Sequence, residues 1–438
     1  MSDDVLFPDV DPRNASDGLD EAAPRVETAN RDQIELQPCD LEALLPPGHA
    51  ARLVWRFVEG LDLAAFYAAI RAREGRAGRS AIDPKILVAL WLYATMDGVG
   101  SAREVDRLCY RHDAYRWLRG GVSVNHHTLS DFRVQHQTAL DDLLTQSIAA
   151  LLHRGVVTMA RVAQDGTRVR GSAGAGSFRR GETLQTCLHE ARKQVERTAK
   201  QAEAGGTGRA DAAQRRAAAD RLARVEEALA QLPAIQATKD RQKGKRPTEA
   251  RVSTTDPDAR VMKMADGGYR PAYNVQLATD VDSRMIVGVT VTNVGSDRAA
   301  VVPMLDQLAQ RTGRHPRAHL VDGGFFTKDV LTTVATRGIT MYAPLPKCRD
   351  ETADPAAPIH GDSPAVAAWR LRMTTEDGKR IYKERGATAE WVNADGRAHR
   401  ILDRIPVRGL RRVHTWALWI ALAHNMIRTM EIVPHVMT

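Results

Sequence analysis

Cysteine is scarce in this chain. Four occur among 438 residues, Cys39, Cys109, Cys187 and Cys348, and no two form a C-x-x-C pair. That scatter excludes a paired-cysteine zinc site and gives no disulfide framework; it suits a reducing cytoplasm. The N-terminus is acidic and has no apolar core segment, so no signal peptide is expected. Long apolar runs are missing too. The strongest late stretch, "WALWIALAHNMI" at 416–427, is interrupted by His424 and Asn425 and is too short to span a bilayer. It reads as a buried helix, and no membrane partner is expected.

The residues that are present form an ordinary globular mixture, 43% hydrophobic and 26% charged. A chain of 438 residues exceeds one ordinary core, so two or three domains are expected. The net charge is +8 and the pI about 9.4. The excess is unevenly placed. Residues 1–35 hold ten acids and three arginines, which leaves about +15 on the remainder. A basic body points to an anionic partner, nucleic acid first.

Residues 1–35 lack periodicity and read as a disordered acidic arm. Residues 36–155 read as helices throughout. "AIDPKILVALWLYATMDG" is strongly apolar with Pro84 near its start, and Ser101 and Glu104 are spaced as a capping box. Short helices joined by Gly-containing turns are the pattern of an all-α, helix-turn-helix-like domain. From 156 the pattern turns to period two, "VVTMARVAQDGTRVRG", a strand. Residues 181–236 are Ala-, Glu- and Arg-rich with helical periodicity broken by "AGGTG": a helical hairpin inserted into the following domain. The basic linker "KDRQKGKRPTEAR" after it is either a solvated tether or a phosphate contact. Residues 251–345 supply an α/β core. "PAYNVQLATD" and "SRMIVGVTVTN" form an antiparallel hairpin; "DRAAVVPMLDQLAQRTG", "RAHLVD", "TKDVLTTVATRG" and "ITMYAPL" alternate helix and strand, which implies parallel pairing in the same mixed sheet. Two more helices are expected in 381–430, and the second domain as a whole is 156–438.

Two of these strands run into Asp-Gly: "RVAQDGTRV" at 161–169 and "HLVDGGF" at 319–325. Taken singly, each is an ordinary turn. Together they set Asp165 and Asp322 on strands that can lie side by side with their carboxylates level. Adjacent acids repel and need a cation between them, and hard oxygen ligands select Mg²⁺ or Mn²⁺. Glycines at 166, 323 and 324 leave room for a phosphate to approach. A third acid from 351–438 would complete a two-ion site for in-line phosphoryl displacement. Glu390 in "YKERGATAEWVN" is preferred. Glu384 is its rival, with a surface ion pair to Lys383 or Arg385 as the competing reading.

The strand "VAQDGTRVRG", the segment "STTDPDARVMKMADGGYRPAYNVQLATD", the strand "HLVDGGF" and the pattern Tyr382, Arg385, Glu390 together resemble a bacterial insertion-sequence transposase of the DDE class, with a ribonuclease-H-like core. The resemblance is collinear over about 36–430 and includes "TLSDFR" and "PVRGLRRVHTWALWIALAHNMIR". It implies an α/β fold in which a ribonuclease-H-like mixed sheet with flanking helices follows the helical domain and carries the insertion. It implies Asp165, Asp322 and Glu390 as the catalytic and metal-binding triad for two Mg²⁺ or Mn²⁺ ions. Tyr382 and Arg385 become phosphate-side residues. Arg397 or Arg400 stands where members often carry a lysine. The implied partners are double-stranded DNA, both terminal inverted repeats and target, and a second copy of the chain. The implied location is the cytoplasm, on the nucleoid. Charge for end recognition would come from Arg103, Arg107, Arg111, Arg116, Arg119 and Arg133. A catalytically inactive DNA-binding repressor and a metal-dependent nuclease without strand transfer are the alternatives.

Other polar residues read more plainly. Asp297 precedes a helix and reads as its N-cap, with a supporting role at the metal site as the other reading. Asp256, Asp258 and Asp266 read as turn residues. His126 and His127 are neighbours whose side chains diverge, which disfavours a shared metal. Trp369 and Trp391 read as core rather than as stacking platforms for a base. Tyr269 and Arg270 either meet DNA or anchor a loop.

Overall fold

The computed structural model describes residues 38–72, 80–204, 208–241, 249–346 and 354–433, with Ala29 and Asp32. The rest of the acidic arm, residues 242–248 of the basic linker and Cys348 lie outside them.

Seven helices come first: α1 Ala50–Glu59, α2 Ala64–Ala68, α3 Pro84–Met96, α4 Ala102–Arg111, α5 Asp113–Arg119, α6 His126–Gln135 and α7 Gln137–His153. Their starts follow local chemistry. Asp83 accepts the Lys85 N–H at 2.8 Å with Pro84 in the first turn, and Asn125 accepts the Thr128 N–H at 3.0 Å. Ser101 caps α4 through the Glu104 N–H, but the Glu104 carboxylate turns to Arg107, so only half of the expected capping box forms. The chain leaves α5 through Gly120 and Gly121, both at positive φ. Helix α3 is buried almost all round, and Trp91 donates its indole N–H to the Leu129 carbonyl at 3.0 Å.

The strands are β1 Arg161–Arg170, β2 Phe178–Arg179, β3 Val252–Ser253, β4 Arg260–Lys263, β5 Tyr269–Asp280, β6 Ile286–Thr292, β7 Ala318–Leu320 and β8 Thr340–Tyr342. Six make one mixed sheet in the order β4-β5-β1-β7-β8, with β6 also on β5. β5 is antiparallel to β1, β4 and β6; β7 is parallel to β1 and to β8. This arrangement is compatible with a ribonuclease-H-like core. The expected β5–β6 hairpin is present. Its turn is tied by Asp280, which accepts the Ser283 N–H and hydroxyl and, from across the sheet, the Thr158 and Met159 N–H groups.

Helices α10 Val301–Thr312, α11 Lys328–Thr336, α12 Pro364–Thr374, α13 Glu376–Arg385, α14 Trp391–His399 and α15 Leu410–Ile432 cover and extend the sheet. The numbers between fall to the inserted hairpin, α8 Gly181–Glu203 and α9 Arg209–Asp240. The two residues that interrupt the apolar run of α15 have a reason to be polar. Asn425 donates to and accepts from the Ile286 backbone at 2.8 Å each way, and His424 bonds the Arg284 carbonyl at 2.9 Å. Buried in an apolar helix, they satisfy strand groups that would otherwise be orphaned. Helix α15 also reaches the first helices, where Trp419 donates to the Arg133 carbonyl at 3.1 Å.

The hairpin is closed at its base by β2 pairing antiparallel with β3. Its own small core, Leu184, Ala228 and Val252, is separate from the main one. It runs to Asp240, a little past the expected end. One clamp ties it to the body: Gln231 donates to Asp258 at 2.9 Å and accepts from Arg260 at 2.6 Å. Excising 181–236 across a Gly-Ser bridge is therefore expected to leave a folded body that is weaker by roughly 3–6 kcal/mol, about 1.5–3 for each of the two hydrogen bonds to charged groups. Urea unfolding of the excised chain checks this, and loss of the cooperative transition would place the hairpin in the core.

The "TTDPDAR" aspartates do more than turn the chain. Asp256 is buried and accepts the Tyr273 hydroxyl at 2.7 Å and the Gly409 N–H at 3.1 Å; Asp258 accepts the Leu410 N–H at 2.8 Å. Together they cap α15.

Candidate active site

β1 lies in the middle of the sheet, so both of its faces are covered and its burial does not alternate cleanly. Arg161 pairs with Ala318 and Ala163 with Leu320. Continued two residues further, that register sets Asp165 level with Asp322, as the two Asp-Gly sequences imply. Asp165 accepts the Gly166 N–H at 3.0 Å and the Asn393 side-chain N–H at 2.9 Å. Asp322 accepts the Gly324 N–H at 2.7 Å, which folds the turn after β7. Burial pushes the Asp165 carboxyl up to about 6, and the Asp322 charge adds to this; Arg385, Asn393 and the Gly166 N–H pull the other way.

The third element is one long helical run. Between α13 and α14, Gly386–Glu390 make a π turn, the kind of irregularity that often marks a functional segment. The wide turn ends on Glu390, whose exposed carboxylate is bonded by Arg385 at 2.5 Å. The same guanidinium lies 3.8 Å from Asp165, so Arg385 bridges the first and third acids. Tyr382 packs beneath it, with the guanidinium 6.0 Å from the ring centre. Arg397 bonds the hydroxyl of Thr167, two residues from Asp165 and on the same face of β1. Asn393, a turn beyond Glu390, closes the "YKERGATAEWVN" stretch, but the sequence alone assigns it no partner.

Three expectations need correction. Arg400 is buried and faces away from the acids, toward the Met96 carbonyl and Asp395. Asp297 does not cap α10, whose N-cap is Ala300; it accepts Asn274 at 2.7 Å and Gln276 at 2.6 Å from neighbouring positions on β5. The room at Gly166 is not open to a phosphate. A Cβ there would stand 2.2 Å from Gln276 Nε2 and 2.4 Å from Asp297 Oδ1. Gly166→Ala is expected to cost about 1–3 kcal/mol, the usual range for overpacking, and to dislodge Asp297. Urea unfolding reads it, and an unchanged midpoint would mean that the amide network gives way freely. Glu384 keeps its surface ion pair, but with Arg161 at 3.0 Å rather than with Lys383 or Arg385.

Among the described residues no three carboxylate, imidazole or thiol groups converge closely enough to hold one ion. The donor chemistry nonetheless fits a hard divalent cation. Asp165 and Asp322 offer only oxygen, and burial, with the Asp322 charge beside it, raises the Asp165 carboxyl, a shift that a bound cation would oppose.

Comparison with known families bears on this geometry. A model described as "Transposase DDE domain" matches residues 247–426, and one described as "Transposase domain (DUF772)" matches 39–135. Together they span well over half of the chain. The chain belongs to the DDE transposases of insertion sequences. No curated protein and no solved structure matches it. Asp322 and Glu390 fall inside the matched DDE domain; Asp165 lies outside both ranges, so its place rests on the sheet register. Transposases of this class bind DNA and generally use divalent metal ions.

The arginines of the transposase's first helices divide sharply. Arg107 and Arg116 are paired with Glu104 and Asp113 on their own helices. Arg119 donates to the Val122 carbonyl and lies over Tyr110. Arg133 is 7% exposed, packs over Trp91 and donates to the Gly100 carbonyl, so it is not on the expected surface. Arg103 and Arg111 are exposed and have no ion-pair partner among the described residues. His126 is held by Asp106 at 3.3 Å, and its ring centre lies 4.1 Å from that of His127, tilted by 35°, so the two side chains do not diverge as expected; there is no metal-binding cluster among the described residues. Trp369 is core, stacked on Phe326; Trp391 is 39% exposed with Arg284 and Arg428 against its ring. Arg270 pairs with Asp266 beside an exposed Tyr269. No helix of the described residues is long and apolar enough to cross a membrane.

Proposed function

We propose that this transposase cuts phosphodiester bonds at the ends of its insertion sequence and joins the freed 3′ ends to target DNA. The observation that carries this reading is Asp165 on β1 near Asp322, which lies two residues past the end of the adjoining parallel β7, with the Glu390 helix tethered to Asp165 through Asn393 and Arg385. Asp165, Asp322 and Glu390 would hold two Mg²⁺ or Mn²⁺ ions. Bound there, such ions supply an activated water and neutralise charge on the attacking and leaving oxygens. The carboxylates act as ligands rather than nucleophiles, so no covalent enzyme–DNA intermediate forms. Asn393 fixes the rotamer of Asp165. Arg385 and Arg397 are cations on the acid-bearing face, suited to the non-bridging oxygens of the scissile phosphate. In cleavage, water attacks phosphorus and the 3′ oxygen leaves with a proton as a hydroxyl. In joining, that 3′ hydroxyl attacks a target phosphate and displaces the target's 3′ oxygen.

Residues 36–155 are proposed to recognise the terminal inverted repeats, with two copies of the chain pairing the two ends. The test is incubation with Mg²⁺ and a duplex carrying the inverted repeat that flanks the coding sequence, plus a supercoiled target. Nicks at the repeat boundary together with joined products are expected. Nicks without joining would leave a nuclease, and binding without nicks a repressor.

A further inference from the structure

Two clefts adjoin one another between the first helices and the segment that enters α15. One, of about 460 Å³, lies between α6, the residues just past β1 and the loop that enters α15. The other, of about 380 Å³, lies between the start of α4 and α6. They share Ser130, Arg133 and Pro406, so they form a single groove. Buried Arg133 is its floor.

The groove is lined mainly by positive charge. Arg103 stands at one end and Arg408, Arg411 and Arg412 at the other, all exposed. None of the four has an ion-pair partner among the described residues, and Arg408 spends one N–H on the Ser172 carbonyl. Some exposed arginines elsewhere are neutralised, such as Arg192 with Glu226 and Arg221 with Glu190, while others, such as Arg111, are not. Asp131 is the one carboxylate lining either cleft among the described residues. Arg408, Arg411 and Arg412 also border a neighbouring cleft lined by Asp220, Glu227, Asp256 and Asp258, but none of the four guanidinium groups is ion-paired among the described residues, so the groove itself keeps an excess of positive charge that attracts a polyanion. The N-terminus of α15 is already capped by Asp256 and Asp258, so the attraction rests on side chains rather than on the helix dipole.

The position of the groove selects its occupant. Its floor loop is bonded to the end of β1, with the Ile405 N–H on the Arg170 carbonyl at 2.9 Å. Arg170 is five residues along the strand from Asp165, about 17 Å at 3.3 Å per residue. At 3.4 Å per base pair that is about five base pairs. The far end lies on α4 and α6, within the matched transposase domain. A DNA that touches both the first helices and the acids is the element's own end.

We propose that this groove holds the sugar–phosphate backbone of the element-end duplex about half a helical turn from the cleaved bond. The proposal rests on the transposase reading above. Full-length protein carrying Arg408→Ala, Arg411→Ala and Arg412→Ala should bind the repeat-bearing duplex with a shallower salt dependence. The slope of log K against log salt should fall in magnitude by roughly 2–3, about 0.9 for each phosphate no longer neutralised. The triple Arg→Lys variant keeps the charge and should keep the slope; Arg192→Ala should match wild type. Hydroxyl-radical protection of the backbone about five base pairs from the boundary should vanish in the alanine variant alone. Wild type that binds no duplex would overturn both the groove and the transposase reading. Wild type that binds with an alanine variant of unchanged slope would overturn the groove alone. Protection that vanishes elsewhere, or only on a random duplex, would overturn the assignment to the element end.

Discussion

Asp165→Asn, Asp322→Asn and Glu390→Gln should each abolish Mg²⁺-dependent cleavage and joining while leaving the fold and DNA binding in place. Each change removes one charged oxygen ligand and keeps the shape of the side chain. An ion held at such a site is worth several kcal/mol in the transition state, so the loss should be roughly a thousandfold or more. Gel-shift affinity for the repeat-bearing duplex should hold or rise, because one negative charge near phosphate is gone. Asn393→Ala should fall between, about 10–100-fold down, since it only orients a ligand. Glu384→Gln should be mild in activity, as its carboxylate serves Arg161. Cleavage at the wild-type rate by either aspartate variant would remove the proposed site. A dead Glu384→Gln beside an active Glu390→Gln would move the third ligand to the preceding turn and a half of helix.

The legible parts of this chain are those where one local rule decides. Asp165 and Asp322 come near one another because both Asp-Gly sequences follow apolar stretches that pair in parallel, although β1 runs on through Asp165 to Arg170 while β7 stops at Leu320, before Asp322. The β5–β6 hairpin and the caps of α3 and α6 follow from turn and capping chemistry. The illegible parts depend on what folds against what. Asp297 sits a few residues before a helix, where an N-cap belongs, yet its partners Asn274 and Gln276 come from a strand about twenty residues away in sequence. Arg133 and Arg400 have the composition of surface cations; only the packing of α6 and α14 shows them buried. Asn393 becomes meaningful once α14 is laid over β1. The glycine at 166 signals close approach correctly, but whether protein or phosphate approaches is a tertiary matter.

The same carboxylate that serves the chemistry should weaken the metal-free protein. Burial beside Asp322 lifts the Asp165 carboxyl from its ordinary range to about 6. In the unfolded chain it titrates near 4. Below that pH the group is protonated in both states and costs nothing. As pH rises from about 4 through 6 the folded state holds its proton more tightly than the unfolded one, so stability falls. A shift of this size corresponds to about 1–3 kcal/mol at neutral pH. Asp165→Asn removes the titration and can still meet the Asn393 amide through its side-chain oxygen. In the presence of a chelator the variant should therefore match wild type near pH 4 and exceed it by about 1–3 kcal/mol above pH 7. Mg²⁺ should then raise the stability of wild type and leave the variant nearly unmoved, since a ligand that binds only the folded site adds its binding free energy to folding. Urea unfolding of both proteins at the two pH values, with and without Mg²⁺, measures each term. If the variant proves the less stable protein at neutral pH without metal, Asp165 is a structural carboxylate whose bonds to Asn393 and Gly166 outweigh its burial, and the need for a cation at this position disappears.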